Sequence, residues 1–390
     1  MSFQFLKILD VIFALGSVAS IAYYALCLWS AANFLRGEKL ADETVRPTQP
    51  YSPVSILKPL KGADPGMYEN FRSHCLQDYS EYEIIFGVSE PNDPAIELVE
   101  QLKSEFPQRP IQLIVCPRPL GANAKVSNLI QMLSHARFDH LIVNDSDIRV
   151  APDYLRRVLA PLVATETGLI TCLYRGVANS TLGSQLEALG ISTDFCPGVL
   201  AARQLEGIKF ALGSTMAFRR RDLAAIGGFE VLADYLSDDY HLGRRIAALG
   251  LKVELSDVVV ETFLPRYTMR EFFAHQLRWA RSVRDSRFWG HLGMGITFGL
   301  VWALLTLIFA GGSGWAVELF CLTAAMRLAV AIFVGARVLH DQRAIHRLAL
   351  IPLRDAIAML VWLTSFAGHT VSWRGDLFKL QEGKLIRIRP

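Results

Sequence analysis

Residues 141–150 read Leu-Ile-Val-Asn-Asp-Ser-Asp-Ile-Arg-Val, so a short apolar run ends abruptly in Asn144, Asp145, Ser146 and Asp147. Two carboxylates one residue apart at the carboxyl end of an apolar strand are how an open α/β sheet offers hard oxygen ligands to a divalent ion beside a phosphate. An Asx-rich turn has the same composition, because Asp and Asn bond their own backbone. The pattern therefore draws its meaning from the residues around it. A second acidic pair, Asp238 and Asp239, opens a helix, where the dipole alone would favour negative charge. Two basic turns accompany them. Lys58-Pro-Leu-Lys-Gly ends a strand, and residues 121–128, Gly-Ala-Asn-Ala-Lys-Val-Ser-Asn, enter a helix with Lys125 near its start. A Gly-containing loop with a lysine at a helix start is the form of a phosphate cradle, since free N–H groups and the ammonium point the same way. Residues 275–279, His-Gln-Leu-Arg-Trp, lie on an amphipathic, arginine-rich helix whose Arg and Trp would also serve as interfacial anchors.

The elements that must position these groups follow from periodicity. Residues 54–57 alternate as a strand, Asp64 and Pro65 open a helix through Tyr68, Phe71 and Leu76, and residues 82–88 form the next strand. In such a β-α-β unit ligands sit past the carboxyl ends of the strands, here at Lys58 and Lys61 on one side and Glu90, Asn92 and Asp93 on the other. A helix over 94–106, a strand over 111–116, a helix over 129–136 and a strand over 168–175 continue the alternation. Residues 179–210 are irregular, with Cys196-Pro-Gly inside, and fit a core helix or one facing membrane or lipid. Residues 210–219 read as a strand passing close to a ligand at Gly213, and 251–255 and 258–262 as two more.

The 390 residues are 52% hydrophobic, with a mean hydropathy of +0.28, high for a soluble chain. The excess is local. Residues 3–34 carry few charges and none between Val11 and Trp29, which reads as an uncleaved N-terminal anchor; no small-x-small cleavage site precedes Arg36. Residues 292–310 form a second run long enough to cross a bilayer, and 315–334 a third, interrupted by Glu318 and Arg327. Residues 356–368 are shorter and fit an interfacial or re-entrant helix. Arg327 within a bilayer needs a partner, for which Asp355 is the candidate. Arg36 and Lys39 follow the anchor, and Arg278, Arg281, Arg284 and Arg287 precede the second run, so the positive-inside rule places the central part in the cytoplasm. Six cysteines without paired or metal-like spacing read as reduced thiols, in keeping with that side. A net charge of +3 does not suggest a nucleic-acid partner. The expected organisation is an anchor over 1–37, a catalytic domain over 38–288 and C-terminal membrane helices with a basic tail over 289–390.

Taken in order, Lys58 to Gly62, Asp93-Pro-Ala, the strand end Asp145 to Val150, Asp239-Tyr240 and the His275 to Trp279 motif resemble the ceramide glucosyltransferase family of inverting glycosyltransferases with the GT-A fold. The resemblance covers residues 52–284. His275 stands where that family has Gln or Arg, and Asp147 is a second carboxylate that ceramide enzymes often lack. Those departures, with Cys172-Leu-Tyr-Arg-Gly and Pro352-Leu-Arg-Asp, are similar to the bacterial hopanoid-biosynthesis branch.

The resemblance implies an α/β GT-A fold and transfer of a hexose or N-acetylhexosamine, N-acetylglucosamine first, from a UDP-sugar donor to a lipid hydroxyl such as that of bacteriohopanetetrol, at the bacterial inner membrane. Asp239 is then the catalytic base. Asp145 and Asp147 hold Mg²⁺ or Mn²⁺. Lys58, Asp93, Lys125, Asp145 and Arg278 serve the nucleotide sugar, and Trp279 and Asp238 the acceptor side. Three rivals stand beside this reading: a ceramide glucosyltransferase using UDP-glucose, a non-catalytic membrane protein that senses nucleotide sugars, and a processive polysaccharide synthase, whose channel needs more spanning helices than are visible.

Overall fold

The computed structural model describes residues 3–44, 52–64, 66–373 and 376–388, so most of the proline-containing linker at 46–53 lies outside the described residues. The chain divides into two units. One, Val45–Val177, Ile208–Pro265 and Asp376–Pro390, is built on an eight-stranded sheet. Its strands are β1 (Val54–Leu60), β2 (Tyr82–Val88), β3 (Ile111–Val115), β4 (His140–Val143), β5 (Ile148–Arg149), β6 (Thr167–Val177), β7 (Met216–Arg219) and β8 (Lys252–Phe263), in the order β3-β2-β1-β4-β7-β6-β8-β5. Strands β3, β2, β1 and β4 run parallel, whereas β7 pairs antiparallel with both β4 and β6.

Every residue of β1 and β2 is buried, as expected of parallel strands covered on both faces. The helix Met67–Cys75 turns Phe71 onto Phe86 of β2 at a ring distance of 4.8 Å, and Val99 and Leu102 bring the helix Ala95–Glu105 onto the same core. Each such side chain contributes roughly 1.5–3 kcal/mol on burial. From β1 the chain builds outward through β2 to β3, then returns to the other side of β1 with β4. That reversal is a topological switch point, and the crevice beyond the carboxyl ends of β1 and β4 is where an open α/β sheet binds its ligand. The residues at those ends are Lys58 to Gly62 and Asn144 to Asp147.

Two segments depart from their periodicity. The strands expected at 251–255 and 258–262 are one strand, β8, carrying a bulge where Cys172 pairs with Ser256 and Leu173 with Val259. The polar Ser256-Asp257 pair that looks like a loop is the bulge itself. In 210–219 only Met216–Arg219 is strand. Thr171 of β6 holds the preceding residues in a turn, its hydroxyl accepting from Leu212 N–H at 2.8 Å and donating to the Thr215 carbonyl at 2.8 Å.

The other unit comprises Met1–Thr44, Ala178–Gly207 and Arg266–Gly375. Among the described residues three of its helices are long and apolar enough to cross a membrane: Lys7–Gly37, Gly314–Val338 and Leu348–Ser365. The apolar run at 292–310 is instead a bent pair, Phe288–Thr297 and Gly299–Phe309, turning by 56°. Tyr24 stabilises the bend. Its hydroxyl donates to the Thr297 carbonyl at 2.9 Å and accepts from Gly299 N–H at 3.1 Å, so these two backbone groups at the break are paired. The fourth apolar segment is longer than its composition suggests, reaching from Leu348 to Ser365. An apolar run read from sequence stops at Arg354-Asp355, yet the helix continues through both because they are paired inside the unit. Arg327 Nε and Nη2 bond the two oxygens of Asp355 at 2.9 and 2.8 Å, and Nη1 donates to the Thr193 carbonyl at 2.8 Å. Breaking one side of this buried pair, by Asp355→Asn or Arg327→Met, is expected to destabilise the unit by ~3–5 kcal/mol. The double variant should recover part of that loss in a thermal-unfolding cycle; strictly additive effects would exclude the coupling.

Candidate active site

Asn144 locks the loop after β4. Its Nδ2 donates to the Ser214 carbonyl at 2.6 Å and to Tyr154 Oη at 3.0 Å, while Asp145 N–H bonds the Gly213 carbonyl at 3.3 Å. Asp147 is tied to the end of β8: Thr262 Oγ1 donates to its Oδ2 at 2.6 Å, and Phe263 N–H to its carbonyl at 3.0 Å. Burial, the neighbouring Asp145 charge behind it, pushes the Asp147 carboxyl up to about 6. Among the described residues no group of three His, Cys, Asp or Glu side chains could hold a metal ion. Two carboxylates are nonetheless what an Mg²⁺- or Mn²⁺-type cation takes from protein when substrate phosphates and water fill its remaining positions. The mutual repulsion that lifts Asp147 is also what a cation would relieve. Asp145 and Asp147 therefore fit such an ion.

Asp239 stands on the second residue of the helix Asp238–Ala248. Its Oδ2 accepts from Gly213 N–H at 2.8 Å and its Oδ1 from Tyr240 N–H at 2.7 Å. Each oxygen keeps a lone pair for a further donor. Burial first and the adjacent Asp238 second raise the Asp239 carboxyl to about 7, against the smaller opposing pull of Lys125. Gly213 is where the two acidic clusters meet: a Cβ there would lie 2.6 Å from Asp145 Oδ2 and 3.4 Å from Asp239 Oδ2. Its importance comes from this close approach and not from any special backbone angle.

Lys125 joins the clusters electrostatically. Its ammonium sits 2.8 Å from Asp145 Oδ1 and 3.0 Å from Asp238 Oδ2. Burial opposes its charge, but Asp145, Asp238 and Asp239 together hold its pKa above the usual lysine range. The loop before it is not an open cradle. Ala122 N–H donates to Asp234 Oδ1 at 2.9 Å, Asn123 N–H to the Ala233 carbonyl at 2.8 Å, and Asn123 Oδ1 caps the helix Ala124–Leu133 through Val126 N–H at 3.2 Å. Those amides anchor the 233–238 segment, and Lys125 is the group left to face the carboxylates.

Lys58 is wholly buried beneath the loop of Asp145, donating to the Asp145 carbonyl at 3.1 Å, with His74 Nε2 at 3.4 Å. Burial lowers its pKa to about 7, while Asp147 and Asp145 pull the other way. Sequence reasoning overlooked His74; its only trace is a histidine on the inner face of an amphipathic helix. Asp93 ties two turns together, accepting from Gly62 N–H at 3.0 Å and from Ala95 N–H at 2.9 Å. Arg278 and Trp279 belong to the helix Met269–Ser286 of the membrane-helix unit. There His275 Nδ1 lies 3.1 Å from Arg278 Nη2 and 3.2 Å from Tyr267 Oη, and burial followed by Arg278 lowers its pKa to about 3, so the imidazole is neutral and Nδ1 accepts from the guanidinium, which can only donate. His275 thereby orients Arg278. Trp279 meets Phe195 edge-on at 6.4 Å.

Comparison with known proteins agrees with this architecture. A ceramide glucosyltransferase of Caenorhabditis elegans is 24% identical over 238 residues, 61% of this chain and 51% of its own length. The chain spans about half the length of the curated relatives it matches first. An N-acetylglucosaminyltransferase of Rhizobium meliloti is 26% identical over 296 residues, 69% of this chain and 66% of its own. Among solved structures, a mannosyltransferase of Pyrobaculum calidifontis in complex with GDP-Man and Mn²⁺ superposes with a TM-score of 0.54 at 18% identity, covering 92% of this chain and 99% of that one. The fold is GT-A, and the apolar helices make this a membrane protein. The description of glycosyl transferase family 21 fits residues 12–386, nearly the whole sequence, and the chain therefore belongs to that family.

Proposed function

We propose that the protein transfers N-acetylglucosamine from its UDP form to a hydroxyl of a membrane polyol lipid, with bacteriohopanetetrol as the acceptor. The observation that carries the chemistry is Asp239, a carboxylate held on the Gly213 amide with its pKa raised toward neutrality beside the Asp145–Asp147 loop. In a single displacement the acceptor oxygen attacks the anomeric carbon, its proton passes to Asp239, and the bond to UDP breaks with the electron pair on the leaving phosphate. Asp145 and Asp147 would hold a divalent ion together with diphosphate oxygens; when bound, it neutralises the charge that develops on UDP. Lys125 adds fixed positive charge to that side, Lys58 keeps the loop in place from below, and Asp93 shapes the turn that faces the nucleotide. Arg278 pairs with the diphosphate, and Trp279 and Asp238 serve the acceptor.

The sugar assignment is supported by the Rhizobium N-acetylglucosaminyltransferase, which matches 69% of this chain against 61% for the Caenorhabditis elegans ceramide glucosyltransferase. Ceramide with UDP-glucose is the second reading, favoured by the names of those relatives. The site lies in the cytoplasm by the arginine distribution. Residues 384 and 385 return to the same unit as the catalytic groups, with Tyr235 and Lys384 bridged and Leu385 N–H donating to the Asp234 carbonyl at 2.7 Å. Between Pro265 and Asp376 the chain thus crosses the membrane an even number of times. Counting the bent pair Phe288–Thr297 and Gly299–Phe309 as one broken span and Gly314–Val338 as the return keeps Arg343 and Arg347 on the cytoplasmic side, with Leu348–Ser365 entering without crossing. Purified protein given UDP-GlcNAc or UDP-glucose with bacteriohopanetetrol or ceramide, followed by mass spectrometry of the lipids, is expected to yield the N-acetylglucosaminyl hopanoid. Glucosylceramide alone would overturn the acceptor and sugar, and absence of any UDP-sugar turnover would overturn the enzymatic reading.

A further inference from the structure

The helix Leu182–Gly190 continues through a π-helical turn, Ile191–Phe195, into Cys196–Glu206. Such turns recur at functional sites because they push one residue out of the helical register. This one is pinned at two positions. Ser192 Oγ donates to Asp341 Oδ2 at 2.7 Å, and the Thr193 carbonyl accepts from Arg327 Nη1 at 2.8 Å. Asp194, the next residue, is held less closely: its Oδ2 lies 3.8 Å from Arg354 Nη2, beyond hydrogen-bonding distance, and its side chain is 29% exposed.

Arg354 is 6% exposed. Its Nη2 donates to Gln276 Oε1 at 2.9 Å, and Gln276 Nε2 in turn donates to Glu187 at 2.6 Å. Its Nε and Nη1 are buried and have no hydrogen-bond partner among the described residues. Native proteins rarely leave buried donors idle, and each exception asks for a missing acceptor. Gly190 makes room for this guanidinium, since a Cβ there would stand 2.4 Å from Arg354 Nε. The result is an acceptor, Asp194, and a donor, Arg354, facing one another across a gap too long for a direct bond. Trp279, 44% exposed, packs edge-on against Phe195 of the same turn.

We propose that Asp194 and Arg354 clamp the headgroup of an uncharged polyhydroxylated lipid, one hydroxyl donating to the Asp194 carboxylate while that hydroxyl or its neighbour accepts from Arg354. The inference rests on the lipid-acceptor reading above and assigns residues to it. A vicinal polyol supplies the donor and the acceptor that the gap lacks. A phosphate-bearing headgroup would be repelled by Asp194 at close range, and a plain hydrocarbon would offer no acceptor to Arg354 Nε and Nη1.

The test uses the full chain in nanodiscs and tritiated bacteriohopanetetrol, measured both by equilibrium binding without donor and by transfer from UDP-GlcNAc. Asp194→Leu is expected to weaken binding at least tenfold and to raise the acceptor KM by a similar factor, with the KM for UDP-GlcNAc unchanged. Asp194→Asn, which keeps a hydrogen-bonding group, should lose less than Asp194→Leu. Binding and acceptor KM indifferent to both substitutions would overturn the clamp, as would equal rises in donor and acceptor KM or failure of the wild type to bind the polyol lipid. Asp194-dependent binding without any transfer would keep the clamp and remove the enzymatic reading. Transfer to lipid that ignores Asp194 would do the reverse.

Discussion

Replacing Asp239 by Asn is expected to lower sugar transfer by ~10² to 10⁴ while leaving UDP binding nearly intact, because the change removes a proton acceptor and little of the shape. The amide oxygen can still accept from Gly213 N–H, the bond that holds the loop, while the bond from Tyr240 N–H to the second oxygen is lost. Near-normal turnover in this variant would reject Asp239 as the base. The wild-type pH profile supplies an independent check. A carboxyl raised to about 7 must lose its proton before it can act, so kcat/KM should climb as the pH rises through that value and level off above it. The slope should vanish from the residual activity of the Asn variant. The same shift works against stability: between roughly pH 4, where an unfolded aspartate ionises, and pH 7, the folded chain holds a proton that the unfolded chain has released. Stability from this group is therefore expected to fall as pH rises through that window.

The second large effect belongs to the loop of Asp145 and Asp147. Asp145→Ala should cost ~10³-fold in transfer, since stabilising charge on a leaving diphosphate is worth several kcal/mol. The loss has two parts. One of two candidate cation ligands disappears, and Lys125 is left with Asp238 as its remaining close carboxylate. Asp147→Ala should also lose metal-dependent UDP-sugar binding, and Thr262 would then face no acceptor at that position. Titrating UDP-sugar in the presence of Mn²⁺ or Mg²⁺, and again with a chelator, measures both. If chelation leaves wild-type activity untouched, this pair has no metal role.

Much of the catalytic unit can be read in the residues themselves, for a physical reason. Parallel strands buried on both faces are mostly apolar, so β1, β2 and β4 stand out despite Ser55, Glu83 and His140 within them, as do the polar residues at their carboxyl ends. Long-range geometry is what the residues do not declare. Lys58 looks like a phosphate ligand in a basic turn, but it belongs to a buried strand and supports the loop of Asp145. Gly121 to Asn123 have the composition of an open cradle, while Ala233 and Asp234, more than a hundred positions away in the chain, occupy two of their amides. The membrane helices show the same limit. Arg354 and Asp355 end an apolar run by composition, and only pairing with distant side chains lets the helix pass through them. Asp355 as the partner of Arg327 was nonetheless legible, because an arginine among apolar residues has few ways to be satisfied.

The hairpin formed by Asp376–Gln381 and Lys384–Arg387 has a consequence for the order of assembly. It hydrogen-bonds to residues 234–236, immediately before the helix that carries Asp239. During synthesis that edge waits for some 150 further residues, among them every membrane helix after the first, so these contacts are among the least local in the chain and the last available. The segment leading to Asp239 therefore acquires its final pairing only after the apolar helices have been made. A nascent chain stalled before residue 376 carries all the residues assigned to the chemistry without the strands that brace them, a form in which an unpaired edge stays open to non-native pairing.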